Sequence, residues 1–342
     1  MGRGSVERNK IDLPLLAGYF GNGNAGDEMI LCLLQNRLGP APFLSGPRPA
    51  GGRAVPRFQF LKIAQSLRRS QALLLGGGEL FQSRTSLRSL FYYLTLPLLA
   101  RCLRRPFLGF SLGLDPDLGR WGRWACAFVL RKARALWVRD ETSFQILREA
   151  GIPAQRMPDV VWAWPVQQLS PPHSLHRVLW IPRFPTLENQ GISLRLALES
   201  LPAPLHQGIL ALDPEEDGPS LARFRNAVKV FHQWESWAKP NDLFEILSRY
   251  DLVVTMRYHG LVAAALAGRP VVAIPGHGKV ADLARELRVT IVDPLSVSTT
   301  DWSRVLQDAF QSGAPSVGDR PLRAAAALEA LAGTLSAAPL HN

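Results

Sequence analysis

Cysteine is scarce in this chain: Cys32, Cys102 and Cys126 are the three present, and they stand far apart. They form no CxxC pair and no even set, which argues against a zinc ribbon and a disulfide framework and fits a reducing compartment. No HExxH and no paired-histidine spacing occurs, so the sequence offers no metal centre. A GxSxG elbow is missing, which leaves serine-hydrolase chemistry without an anchor. No glycine run ends in Gly-Lys-Ser/Thr, so a Walker loop is excluded. The N-terminus, MGRGSVERNK, lacks the apolar core of a signal peptide. The longest apolar run, Leu90 to Ala100, is too short to span a bilayer and contains Pro97. These absences lead us to expect a cytoplasmic protein whose membrane contact, if it has any, is peripheral.

What the chain does hold is positive charge, concentrated in one half. The net charge is +11. Residues 1–165 carry 23 Lys/Arg against 11 Asp/Glu, or +12, and residues 166–342 carry 16 against 17, or −1. Most of the excess is arginine, as at Arg68, Arg69, Arg101, Arg104, Arg105, Arg131 and Arg134. Such a half suits nucleic acid, an anionic membrane surface or an anionic substrate. It could equally reflect the arginine habit of a GC-rich genome. No RRM, KH, zinc-finger or helix-turn-helix pattern accompanies the charge, so no nucleic-acid partner is expected.

A chain of 342 residues can bury the cores of two ordinary domains. Short apolar runs alternate with helical patterns. Strands are predicted at 13–20, 72–75, 107–112 and 135–138, with helices at 27–38, 89–104, 121–133 and 142–150. Residues 41–57, rich in Pro, Gly and Arg, read as loop. Strands then recur at 178–181, 208–212, 252–256 and 271–274. Between them, 221–237 reads as a long amphipathic helix, and 242–248 and 261–267 as shorter ones. This alternation predicts an α/β fold of parallel sheets covered on both faces. The expected division is 11–165, 173–312 and a C-terminal helix and tail over 313–342, with a proline-bearing linker near 165–172.

In such sheets ligands gather beyond the carboxyl ends of the strands. Four motifs fall there. The first, Gly18 to Glu28 (GYFGNGNAGDE), is a glycine-rich turn into a helix, where backbone can approach an anion closely; Asn24, Asp27 and Glu28 open the helix, and capping is the plainer reading. The second is Gly76-Gly77-Gly78, whose bare backbone suits either a ligand or tight helix packing. The third is Val138-Arg139-Asp140-Glu141, in which the Arg139 fork suits a carboxylate or phosphate, or a structural salt bridge. The fourth is Met256-Arg257-Tyr258-His259-Gly260, with His259 at a helix N-terminus, a place suited to acid–base work. Lys279 follows the next strand through Gly276-His277-Gly278. The acidic run Asp213, Glu215, Glu216 and Asp217 reads as a solvated loop.

Taken together, GYFGNGNAGDEMIL, LLLGGGELFQSRTSLRSLFYYL, WVRDETSFQILREAGI and VVTMRYHGLVAAALAGRPVVAI resemble the polysaccharide pyruvyl transferase family, near its cell-surface-anchoring (CsaB-like) branch. The resemblance runs from residue 15 to about residue 290. It implies a GT-B-like fold, two Rossmann-like domains facing across a cleft. It further implies phosphoenolpyruvate as donor and, as acceptor, a sugar of a lipid-linked cell-wall polymer precursor, commonly N-acetylmannosamine. The product would be a 4,6-linked pyruvate ketal of the kind that anchors S-layer proteins. The resemblance makes His259 the acid–base and sets Arg139 and Lys279 on the donor's carboxylate and phosphate. Asn24, Asp27, Glu28, Gly76, Gly77, Gly78, Arg183 and Arg257 are implied to bind substrate, with no cofactor and no metal required. The family commonly has a Tyr-Asp-Pro-Lys-like run where this chain has Gly276-His277-Gly278-Lys279. Two other readings remain: a GT-B glycosyltransferase using a nucleotide sugar, distinguished by donor choice, and a non-catalytic glycan- or nucleotide-binding protein, distinguished by donor binding without phosphate release.

Overall fold

A computed structural model describes residues 13–47, 53–82, 87–166, 169–189, 205–227, 233–276, 278–297 and 300–337. His277, residues 338–342 and the whole span 190–204 lie outside these residues. The chain divides into two compact units. The first contains the chain up to Asn22, Ile30–Ala163 and everything from Arg320 onward. The second contains Gly23–Met29 and Trp164–Asp319.

The first unit is built on a sheet of β1 (Leu15–Ala17), β2 (Phe43–Ser45), β3 (Ala54–Pro56), β4 (Leu73–Gly76), β5 (Phe107–Leu112), β6 (Ala135–Val138) and β7 (Gln155–Arg156). Its order is β3-β2-β1-β4-β5-β6-β7, with each neighbouring pair parallel. β1, β4 and β5 are buried at every position, as expected of parallel strands covered on both faces. The connections run through α1 (Ala25–Leu38), α2 (Phe60–Arg69), α3 (Leu87–Cys102), α4 (Arg120–Leu130) and α5 (Glu141–Glu149). Asp140 caps α5 by accepting from the Ser143 N–H at 2.7 Å.

The second unit repeats the plan. Its strands are β8 (Arg177–Ile181), β9 (His206–Leu210), β10 (Gln233–Glu235), β11 (Leu252–Thr255), β12 (Val271–Ala273) and β13 (Thr290–Ile291). They lie in the order β10-β9-β8-β11-β12-β13, again parallel throughout. Its helices are α6 (Phe184–Asn189), α7 (Pro214–Ala227), α8 (Pro240–Ser248), α9 (Tyr258–Leu266), α10 (Gly278–Leu287) and α11 (Trp302–Ser312). Trp180 and Trp302 meet edge to face, 5.0 Å apart, in its core. The C-terminal helix, α12 (Arg320–Ser336), belongs to the first unit and packs on the short 3-10 turn at Val160–Ala163.

Within each sheet the third, second and first strands precede the fourth, fifth and sixth. This is the doubly wound order, and its topological switch point falls between β1 and β4 in one sheet and between β8 and β11 in the other.

Three sequence expectations are corrected. Residues 41–57 are not simply loop: β2 and β3 lie there, paired in register as Leu16↔Phe43 and Phe43↔Ala54. The expected helix at 221–237 is α7, beginning seven residues earlier at Pro214, and Gln233–Glu235 is instead a strand paired with β9. The acidic run Asp213–Asp217 is no solvated loop; Asp213 and Asp217 are buried, at 4% and 0% exposure.

Candidate functional site

The segment Gly23–Met29 belongs with the second unit, and its contacts show why. The Ala25 N–H donates to the Leu212 carbonyl at 2.8 Å, beyond the end of β9. Asn24 caps α1: its Oδ1 accepts from the Gly26 N–H at 3.1 Å, and its carbonyl from the Glu28 N–H at 3.0 Å. The same side chain donates from Nδ2 to Asp213 Oδ2 at 3.1 Å. Asp213 in turn caps α7, accepting from the Glu216 N–H at 3.0 Å. Two helix N-termini are thereby joined through their caps.

A third N-terminus meets them. His259 lies in the first turn of α9, half-buried. Its imidazole occupies the space that a Cβ on Gly26 would need. Gly26 is therefore bare because the ring sits against it, and the glycine-rich motif positions the histidine. Arg257, which precedes α9, reaches Glu216 Oε2 at 2.6 Å from Nη1 and Asp217 Oδ2 at 2.5 Å from Nη2. Arg183, beyond β8, pairs with Glu216 Oε1 and donates from Nη1 to Thr186 Oγ1 at 3.4 Å. The Phe184 N–H donates to Asp217 Oδ1 at 3.1 Å. These groups occupy the switch point between β8 and β11.

The electrostatics follow from burial and pairing. Burial pushes the Asp217 carboxyl up to about 6, against the pull of Arg257. Burial would also raise Glu216, but Arg257 and Arg183 outweigh it and hold that carboxyl below its usual range. Burial acts to lower Arg257, yet Asp217 and Glu216 raise it further. The guanidinium thus stays charged throughout, and the pair answers pH through the Asp217 carboxyl. Three helix N-termini thus meet here, with two arginines paired to the carboxylates of Glu216 and Asp217.

Lys279 stands in the first turn of α10, half-buried, just past β12. Because β12 pairs with β11, His259 and Lys279 follow adjacent strands, and α9 packs on α10. Gly276 abuts Thr186, the acceptor of the Arg183 bond.

Other expected residues lie in the first unit. Arg139 follows β6, with a side chain only 4% exposed. Its Nη1 bonds Asp159 Oδ2 at 2.9 Å, and Asp159 is wholly buried. Asp159 also accepts from the Val161 N–H at 2.9 Å, so the pair ties β6 to the 3-10 turn. Gly76 and Gly77 have a packing reason to be bare, since a Cβ there would strike Leu34 and Ile30 of α1; Gly77 and Gly78 also have φ of +69° and +73°. Asp27 and Glu28 are buried in the first turn of α1, at 7% and 8% exposure.

Sequence reasoning missed Gly26 as the rest for His259, Asp213 as the partner of Asn24, and Asp159 as the partner of Arg139. In the last two pairs the partners are 189 and 20 residues apart, beyond any local pattern. Among the described residues, no set of three or more His, Cys, Asp or Glu is placed to hold a metal ion. Nor is any described helix long and apolar enough to cross a membrane.

A search of curated proteins finds no match. Solved structures do show the fold. HepE of Anabaena, solved with UDP and glucose, is 15% identical over 95% of this chain and 100% of its own, at a TM-score of 0.61. The UDP-GlcNAc 2-epimerase of Neisseria meningitidis, bound to UDP-GlcNAc, is 13% identical over the same shares, also at 0.61. A putative UDP-N-acetylglucosamine 2-epimerase of Listeria monocytogenes is 11% identical over 96% and 98%, at 0.60. The fold is thus GT-B-like: α/β, with two Rossmann-like parallel sheets. Residues 24–278, about three-quarters of the chain, match the family described as polysaccharide pyruvyl transferase, and the chain belongs to that family.

Proposed function

We propose that this transferase moves a pyruvyl group from phosphoenolpyruvate onto two hydroxyls of one sugar in a lipid-linked cell-wall precursor, forming a cyclic ketal and releasing phosphate. The observation that carries the reading is the seating of His259 against Gly26, at the junction of three helix N-termini. It supplies a proton-transfer group beside a region suited to a donor bearing phosphate and carboxylate.

In the proposed reaction a proton adds to the methylene carbon of phosphoenolpyruvate, leaving cationic character at C2. One sugar hydroxyl attacks C2 and forms the first C–O bond. The C2–O bond to phosphate then breaks, and the second hydroxyl closes the ring. Of the two hydroxyl protons, one balances the proton taken by carbon and one leaves with phosphate. His259 moves these protons. Lys279 and Arg183 offset the donor's negative charge, and Arg257 braces Glu216 and Asp217. Asn24, Asp27 and Glu28 shape the mouth of α1. The resemblance puts Arg139 on the donor as well. Its buried bond to Asp159 supports instead a part in holding the end of β6. N-acetylmannosamine and the cell-surface-anchoring branch are the acceptor and relationship we favour, and the protein would act on the cytoplasmic face of the membrane.

The test is phosphate release from phosphoenolpyruvate, with and without a lipid-linked N-acetylmannosaminyl disaccharide, with the ketal methyl followed by NMR. Acceptor-dependent release with a new ketal methyl is expected. Turnover of a nucleotide sugar in its place would overturn the reading.

A further inference from the structure

α3 carries apolar side chains on its solvent face as well as on its buried one. Leu90, Leu94, Leu96 and Ala100 enter the core of the first unit. Yet Leu87, Phe91 and Leu98 stand in solvent at 60%, 49% and 37% exposure. α4, packed beside it, does the same: Trp121, Trp124 and Phe128 are 50%, 64% and 54% exposed. These side chains form one patch, because Phe91 meets Trp121 at 5.2 Å and Trp124 stacks on Phe128 at 5.7 Å. Solvated monomers rarely leave such aromatic surface uncovered without a use.

The charge around the patch points to its occupant. Neither α3 nor α4 contains an aspartate or glutamate. Arg88 and Arg101 on α3, and Arg120 and Arg123 on α4, are all exposed, as are Arg131 and Lys132 directly after it. We infer that the outer face of α3 and α4 docks on an anionic lipid bilayer, with the aromatic rings entering the interfacial layer and the arginines meeting lipid phosphates. Tryptophan and phenylalanine ringed by arginine suit that layer, where an apolar body and a cationic rim are both satisfied. A second copy of the chain fits less well, since two cationic faces repel each other. The inference deepens the proposed reaction by bringing the enzyme to a lipid-linked acceptor, and its test stands apart from that reaction.

The test is co-sedimentation with phosphatidylcholine vesicles, with and without phosphatidylglycerol, at low and high salt. Wild type is expected to bind the phosphatidylglycerol vesicles and to be weakened by salt. A Trp124→Ser/Phe128→Ser variant should keep its circular dichroism and bind about tenfold or more weakly, as loss of two inserted rings implies. Arg88→Glu/Arg120→Glu should lose the preference for anionic lipid. With a water-soluble acceptor, phosphate release by both variants should match wild type. Folded wild type that ignores anionic vesicles would overturn the inference, as would a wild-type dimer that dissociates in the Trp124→Ser/Phe128→Ser variant. Vesicle binding without phosphate release from phosphoenolpyruvate would reject the reaction and leave the docking face intact.

Discussion

Replacing Gly26 with alanine should disable the enzyme while leaving it folded. A Cβ at this position would lie 1.7 Å from His259 Nδ1, 2.3 Å from Cγ and 2.4 Å from Cε1. Ordinary contact needs about 3.5 Å, and Cγ is the root of the ring, so the imidazole as a whole must move by more than an ångström. A displacement of about 1 Å can cost roughly 100-fold in rate. The backbone gains from the same change, because alanine is favoured over glycine in a helix by about 1 kcal/mol. Overpacking costs about 1–3 kcal/mol, so the net effect on stability is about 0–2 kcal/mol. The assay is acceptor-dependent phosphate release alongside urea unfolding. We expect kcat to fall about 100-fold, with KM for phosphoenolpyruvate little changed. Gly333→Ala serves as control: nothing lies within 4 Å of its added methyl in α12, so it should keep full activity. A folded Gly26→Ala enzyme with wild-type kcat would refute the placement of the imidazole as a requirement of the reaction.

Other outcomes follow from the buried charges. Arg139→Ala takes the buried guanidinium away from the Asp159 carboxylate, and should cost about 3–5 kcal/mol in urea unfolding; full stability with lost donor affinity would instead return Arg139 to the donor. Arg257→Ala should be comparably destabilising, because it strands Asp217. For Asp217 the folded carboxyl, at about 6, lies above the ordinary 3.8, so the folded state holds the extra proton between these values. Stability from this group is therefore full below about pH 4 and is lost as pH rises through about 6. The stability of wild type relative to Asp217→Asn should decline over that window, and a difference that grows with pH would contradict the assignment.

Much of the framework was legible because buried parallel strands are short apolar runs closed by glycine or charge. β5 and β6 fall where the pattern set them, and the strand ends point to His259, Lys279 and Arg139. β2 and β3 escaped because strands of three residues amid proline and glycine carry too few apolar positions to show a period. The helix expected at 221–237 misled because Gln233–Glu235 gains its strand character from pairing with Gly208–Leu210, not from its own sequence. The carboxylates at 213–217 looked solvated because their cations, Arg183 and Arg257, come from 33 and 41 residues away. The bareness of Gly26 was visible; that a histidine 233 positions later needs the space was not.

His259 is assigned the protons of the transfer, and a His259→Ala variant isolates that role. Phosphoenolpyruvate binding by calorimetry and acceptor-dependent phosphate release would be measured on the same preparation. Donor binding near that of wild type is expected, with release lowered by about 100-fold or more. Wild-type release in a variant that binds the donor would contradict it.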